Sequence, residues 1–190
     1  VLKTRTKNGD DWSALRELYF VRPIAGSALE ISEIQYHANG DKKEGRNVAA
    51  ERFEFVEIRN PGKEAVALTG VALTRGVYFQ FPDGAIVEPG GHTVVAADPK
   101  AFKSRYGFKP TGKYIRSLSN NGETVILSAA LGNEIDSVTF KDKAPWPSEA
   151  DGSGRSLSRV DSSNGGDGND PENWKASLEK GGTPGRKNAL

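Results

Sequence analysis

The sequence predicts an all-β protein: an antiparallel β-sandwich with one short helix and an N-terminal hairpin. Short runs rich in Val, Ile, Phe and Thr recur along the chain, separated by turn signals about every eight to twelve residues, the spacing of sandwich strands. No long stretch carries the 3.6-residue period of a helix. Gly and Pro supply 22 and 10 of the 190 residues, about 17% against a usual ~12%, which favours many short elements over a few long ones.

The N-terminal segment reads as a hairpin. Residues 1–7 alternate as a strand, Asn8, Gly9, Asp10 and Asp11 form a turn, and residues 12–21 return. Trp12, Leu15, Leu18 and Tyr19 also suit a helical period, but the Asn-Gly turn favours the hairpin. A lone two-stranded hairpin is marginal in water, so residues 1–22 either pack on the rest of the chain or close a preceding module. A chain starting at Val1 with no Met reads as a mature or excised form. Residues 23–28, with Pro23, Gly26 and Ser27, read as a linker, and residues 29–190 as one domain.

Within that domain strands are expected over 29–36, 53–60, 65–73, 77–81, 92–97, 114–118, 124–128, 135–140 and 156–160. Residues 37–50 read as a mobile inserted loop. One helix interrupts the strands. Asp98 is placed to cap it, Pro99 fits its first position, Phe102 and Tyr106 share a face, and Gly107 ends it. The polar, Gly-rich tail must fold back, because Trp174 and Leu178 need burial.

Lys plus Arg number 26 and Asp plus Glu 25, a net charge of +1, so an electrostatic partner must use a local patch. No apolar run approaches the roughly 18 residues of a membrane helix, so membrane insertion is not expected. With no Cys, thiolate nucleophiles and Cys-based zinc sites are excluded.

Ordered motifs then carry a family resemblance. Ile31, Glu33 and Ile34, then Glu54, Glu57, Ile58 and Asn60, then Leu68, Gly70 and Leu73 resemble the first strands of a lamin-tail domain. Phe79, Phe81 and Pro82 with Pro89, Gly90, Gly91, Val94 and Val95 are similar to its central hairpin, and Asn120, Asn121 and Gly122 to its Asn- and Gly-rich turn. Pro145, Trp146, Pro147, Asp151, Gly152, Gly154, Asn169, Asp170, Pro171, Trp174, Gly182, Thr183, Pro184 and Gly185 resemble the bacterial, secreted branch. Leu2, Arg5, Asn8, Gly9, Trp12, Leu15 and Phe20 resemble the closing hairpin of fibronectin-III-like and chitobiase-C-terminal-like modules. The resemblance implies an immunoglobulin-like sandwich without catalytic apparatus, in a multidomain bacterial protein at the cell surface or outside the cell.

Chemistry-bearing residues are few. His37 sits beside a loop and His92 opens a strand, neither near an elbow motif or nucleophile. Glu33 and Glu57 fall on strands able to lie side by side, an acid–base pair or a hard-metal site if they converge. Strand alternation instead lets Glu57 point outward or meet Arg52 or Arg59. Gly165-Gly166-Asp167-Gly168-Asn169-Asp170 matches the start of a calcium-binding nonapeptide, but only once; a polar turn delivering Trp174 to the core is favoured. Trp146 between two prolines either stacks on a sugar or protein, or packs in the core, the favoured reading.

Lys100, Lys103, Arg105, Lys109, Lys113 and Arg116 form an acid-free basic stretch interleaved with Phe102, Tyr106, Phe108 and Tyr114. Cations with aromatics grip phosphates, bases and sugars, though Phe102 and Tyr106 also suit a buried helix face. The expected function is a non-catalytic recognition or scaffolding module for protein or cell-envelope polysaccharide, with no cofactor and no metal. An accessory nucleic-acid binder using residues 99–116 is the alternative, and a metal-dependent hydrolase on Glu33 and Glu57 the least favoured class.

Overall fold

The computed structural model describes residues 2–18, 29–43, 45–160 and 166–190. The linker expected at 23–28, the end of the hairpin's return strand and Gly165 lie outside them. An N-terminal hairpin forms from β1 (Leu2–Thr4), β2 (Lys7–Asn8), β3 (Asp11–Trp12) and β4 (Arg16–Leu18). It turns at Gly9, pairing Lys7 with Trp12 and Leu2 with Leu18. Leu2, Trp12 and Leu15 remain about half exposed, at 49%, 52% and 53%.

From Leu29 onward the chain runs through β5 (Glu30–Gln35), β6 (Asp41–Lys43), β7 (Arg46–Val48), β8 (Phe55–Arg59), β9 (Val66–Ala67), β10 (Ala72–Arg75), β11 (Phe79–Gln80) and β12 (Ile86–Val87). It continues through β13 (His92–Ala96), helix α1 (Pro99–Tyr106), β14 (Gly112–Lys113), β15 (Thr124–Ser128), β16 (Glu134–Thr139), β17 (Arg155–Arg159) and β18 (Trp174–Lys180). One sheet has the order β14-β13-β8-β5-β17-β18 and the other β11-β10-β15-β16. All pairs in them are antiparallel except β13–β14. This is the β-sandwich the sequence predicts.

The core lies between the two sheets. Ile34, Val56, Ile58, Val95 and Leu157 from one meet Leu73, Val125, Leu127 and Val138 from the other in a single buried cluster. Each such side chain contributes about 1.5–3 kcal/mol on burial. Tyr36 against Phe140, with ring centroids 4.8 Å apart, and Trp146 against Trp174, at 6.1 Å, belong to the same cluster. Trp146 is therefore a core residue, and Pro171–Asn173 forms the single turn that delivers Trp174 inward.

Helix α1 lies against the outer face of the six-stranded sheet. Asp98 accepts from the Lys100 and Ala101 N–H groups, and the chain leaves the helix at Gly107, whose N–H bonds the Lys103 carbonyl. Phe102 is fully buried against Phe55, Val94 and Ala96.

Several expectations are corrected. Residues 114–118 form no strand; the pairing there belongs to β14 and to one bridge between Tyr78 and Ile115. Residues 65–73 split into β9 and β10, separated by a tight turn in which the Val71 N–H bonds the Leu68 carbonyl. The 37–50 segment contains the β6–β7 hairpin. Leu178 is 63% exposed, because the β17–β18 register shifts between Arg155 and Leu157 and breaks the alternation β18 would otherwise keep.

Candidate functional site

Two carboxylates and a histidine come together on the outer face of the six-stranded sheet. The β5–β8 register places Glu33 directly opposite Glu57. On β8, period-two alternation sends Val56 and Ile58 inward and Phe55 and Glu57 outward. On β5, Ile31 and Ile34 both face the core, which an unbroken strand cannot do. The register shift between Ile31 and Glu33 supplies the extra residue and turns Glu33 to the outer face.

The two carboxylates are fully buried nonetheless, because the C-terminal residues 181–188 fold over them as a strap. Glu57 Oε1 accepts from Ser32 Oγ at 2.7 Å and faces His92 Nδ1 at 2.8 Å, while Oε2 accepts from the Gly185 N–H at 2.6 Å. Glu33 Oε1 accepts from the Thr183 N–H at 2.8 Å, from Ser158 Oγ at 3.4 Å and from Ser156 Oγ. Glu33 Oε2 is buried without a partner. Burial, then the neighbouring Glu57 carboxylate, push the Glu33 carboxyl up to about 8.

The strap has further anchors. Tyr106 Oη donates to the Gly181 carbonyl at 2.9 Å, and Asn188 Nδ2 donates to the Ser32 and Arg159 carbonyls, each at 2.9 Å. Gly182 has φ +79, and a Cβ there would collide with Glu33 Oε1 and Ser156 Oγ. Only glycine lets the strap sit so close to the carboxylate.

Glu57 thus meets neither Arg52 nor Arg59, the two partners that strand alternation offered it. Arg52 pairs with Asp98 at 2.6 Å and Arg59 with Glu30 at 2.7 Å. Convergence of Glu33 and Glu57 is real, but three of their four oxygen atoms accept bonds from the protein's own strands and strap. Among the described residues no group of three or more His, Asp or Glu is arranged to hold a metal ion. His37 Nδ1 lies 2.6 Å from Asp151 Oδ1, also an internal contact. In the Gly-rich loop, Asp167 Oδ1 accepts from the Asn169 N–H at 2.9 Å and the Gly168 carbonyl accepts from Trp174 Nε1, also at 2.9 Å.

The basic stretch divides into an outer and an inner layer. Lys100, Lys103, Lys109, Lys113 and Arg116 are exposed. Arg105 is committed: its guanidinium stacks 3.3 Å from the Phe53 ring centroid and donates to the Asn39 carbonyl at 2.8 Å. The interleaved aromatics lie mainly inside. Phe102 and Tyr114 are buried, Tyr106 holds the strap, and only Phe108 reaches the surface, at 36% exposed.

Two residues missed in the sequence complete the outward-facing chemistry. Tyr78 is 41% exposed and Ile115 72% exposed, paired to each other through both backbone bonds. The Arg116 guanidinium lies 5.3 Å from the Tyr78 ring centroid. Beside them, Arg52, Asp98, Lys113, Ile115, Arg116 and Ser117 line part of an open cleft of about 550 Å³. The left-handed backbone of Arg116, φ +75, carries no sequence signal, since Arg is not a residue that favours it.

A protein-family model described as Lamin Tail Domain matches residues 22–142. No curated protein matches the chain. The matched stretch ends before β17, β18 and the strap, although these supply two of the six strands and the cover over Glu33 and Glu57.

Proposed function

The chain belongs to the lamin tail domain family, and from that premise we propose that it is a non-catalytic recognition or scaffolding module of a multidomain extracellular or cell-surface bacterial protein. Its partner in this reading is a protein surface or a cell-envelope polysaccharide, and residues 1–22 close a preceding fibronectin-III-like or chitobiase-C-terminal-like module. One observation carries the reading: the carboxylates and histidines that chemistry would need are committed to internal bonds, while cations and apolar side chains remain outside. Lys100, Lys103, Lys109, Lys113 and Arg116, with Tyr78 and Ile115 beside the last two, form the contact face. A polar rim around a few large side chains is the usual composition of a recognition surface.

The acid-free basic stretch also supports a second reading, an accessory nucleic-acid binder. It loses force because Phe102 and Tyr114, which would stack on bases, are core residues.

A glycan array and surface plasmon resonance against purified envelope proteins test the proposal. Binding to one of these that weakens at least tenfold in K103E/K109E, with unchanged unfolding, is the expected result. Turnover of ester, phosphate or glycoside substrates by the purified chain would overturn it. Preferential, strongly salt-dependent retention of DNA or RNA would shift the assignment to the second reading.

A further inference from the structure

We infer that the C-terminal strap is a proton-operated latch, seated over the sheet while Glu33 is neutral and lifting from it when Glu33 loses its proton. The inference is independent of which partner the module binds. It rests on where Glu33 is and what covers it.

Glu33 is fully buried, its Oε2 has no hydrogen-bond partner, and the group opposite it in the register is another carboxylate, Glu57. The remaining groups facing the pair come from every neighbouring element. They are Ser32 on β5, His92 on β13, Tyr106 on α1, Ser156 and Ser158 on β17, and Thr183 and Gly185 on the strap. None of these is a Lys or Arg. An anion formed at Glu33 would therefore be buried beside a like charge with one oxygen unsatisfied, an arrangement that water must relieve.

The strap is held outside every β-ladder. It is a terminal segment that leaves β18 through Gly181 and Gly182, both at positive φ. The strap–carboxylate contact is two backbone N–H bonds, from Thr183 to Glu33 and from Gly185 to Glu57. Lifting it breaks these bonds, the Tyr106 and Asn188 anchors, the Gly181 N–H bond to the Gly154 carbonyl, the exposed Arg186–Glu179 ion pair and the Ala189 contact to Leu178, and leaves the strand pairs of the six-stranded sheet intact. Opening any other side would break β-pairing along the sheet or the buried packing of α1 on Phe55, Val94 and Ala96.

Proton linkage sets the sign. Seated, the Glu33 carboxyl is held up to about 8 by burial and by Glu57. Lifted, it meets water and returns toward the ordinary value of 4.5. The seated form binds the proton more tightly, so its advantage is complete below about pH 4.5 and is lost as pH rises through about 8. Across that window the ratio of lifted to seated strap grows about tenfold per pH unit.

Amide hydrogen exchange on the ¹⁵N-labelled full chain between pH 5 and 9 tests this, with protection factors corrected for base catalysis. Protection of the Thr183 and Gly185 amides is expected to fall about tenfold per pH unit to pH 8 and then level off, while β8 amides stay constant. Glu33→Gln makes the strap profile flat. Since that change places an amide against Ser156, Glu57→Gln provides a second check: removing the neighbouring charge moves the levelling point to lower pH. A flat profile in the unsubstituted chain, an unchanged slope in folded E33Q, or an unmoved levelling point in E57Q would overturn the latch. So would β8 amides that lose protection in step with the strap.

Discussion

One face of the six-stranded sheet is covered in two different ways. Beneath α1, Phe55, Val94 and Ala96 meet Phe102 in a dry contact, with Phe55 and Phe102 edge to face at 5.7 Å. Beneath the strap, Glu33, Glu57, His92, Ser156 and Ser158 meet backbone N–H groups and one another through hydrogen bonds. The apolar half is held by buried area, which is non-directional and insensitive to pH. The polar half is held by a few bonds of fixed geometry, each worth about 1 kcal/mol net, and it contains an acid whose charge opposes its own burial. Adjacent patches of one sheet thus differ in how they open: the first only with the domain, the second by itself.

Three substitutions sharpen or break this comparison. The largest effect belongs to Phe102→Ala, which removes the central side chain of the apolar half and is expected to cost about 3–5 kcal/mol. Urea denaturation would show it as a lower midpoint for the whole domain. Gly182→Ala comes next, at about 2 kcal/mol, because alanine resists the left-handed conformation and its Cβ meets Glu33 Oε1. Its signature is local, with strap amides exposed to exchange while β8 and β13 stay protected. Should G182A instead unfold the domain as broadly as F102A, the two halves are one cooperative unit and the contrast fails. Asp98→Ala is the smallest, about 1 kcal/mol from the lost helix cap and the lost Arg52 contact. It should loosen α1 without altering the strap, and a parallel loss of Thr183 protection would show that the helix, through Tyr106, carries the latch.

Much of this was legible in the sequence wherever the deciding interaction is short in range. β15 runs from Thr124 to Ser128 where alternation places it, and α1 is bounded by Asp98 and Gly107 because the cap, the proline and the glycine are local signals. Phe102 was legible as core from its spacing to Tyr106. The candidate site was legible only in part. Glu33 and Glu57 stood out as a possible pair, but what they bind did not, because the partners Thr183 and Gly185 lie 150 and 128 residues away. The exposed Leu178 and the outward turn of Glu33 depend on β-bulges that leave no pattern in a single strand.

From the sequence alone came the class of fold, its single helix, the burial of Trp146 and Trp174, and the family resemblance. The fold class and the helix arise from periodicity and turn chemistry, which act over a few residues, and the resemblance from motifs in a fixed order. Tertiary structure decided that the paired carboxylates hold a strap, that Phe102 and Tyr114 of the basic stretch face inward, and that Tyr78 and Ile115 face out. A buried polar group takes as its partner whichever donor the fold brings within about 3 Å, and for the strap that proximity exists only once β5, β8, β17 and β18 lie in one sheet.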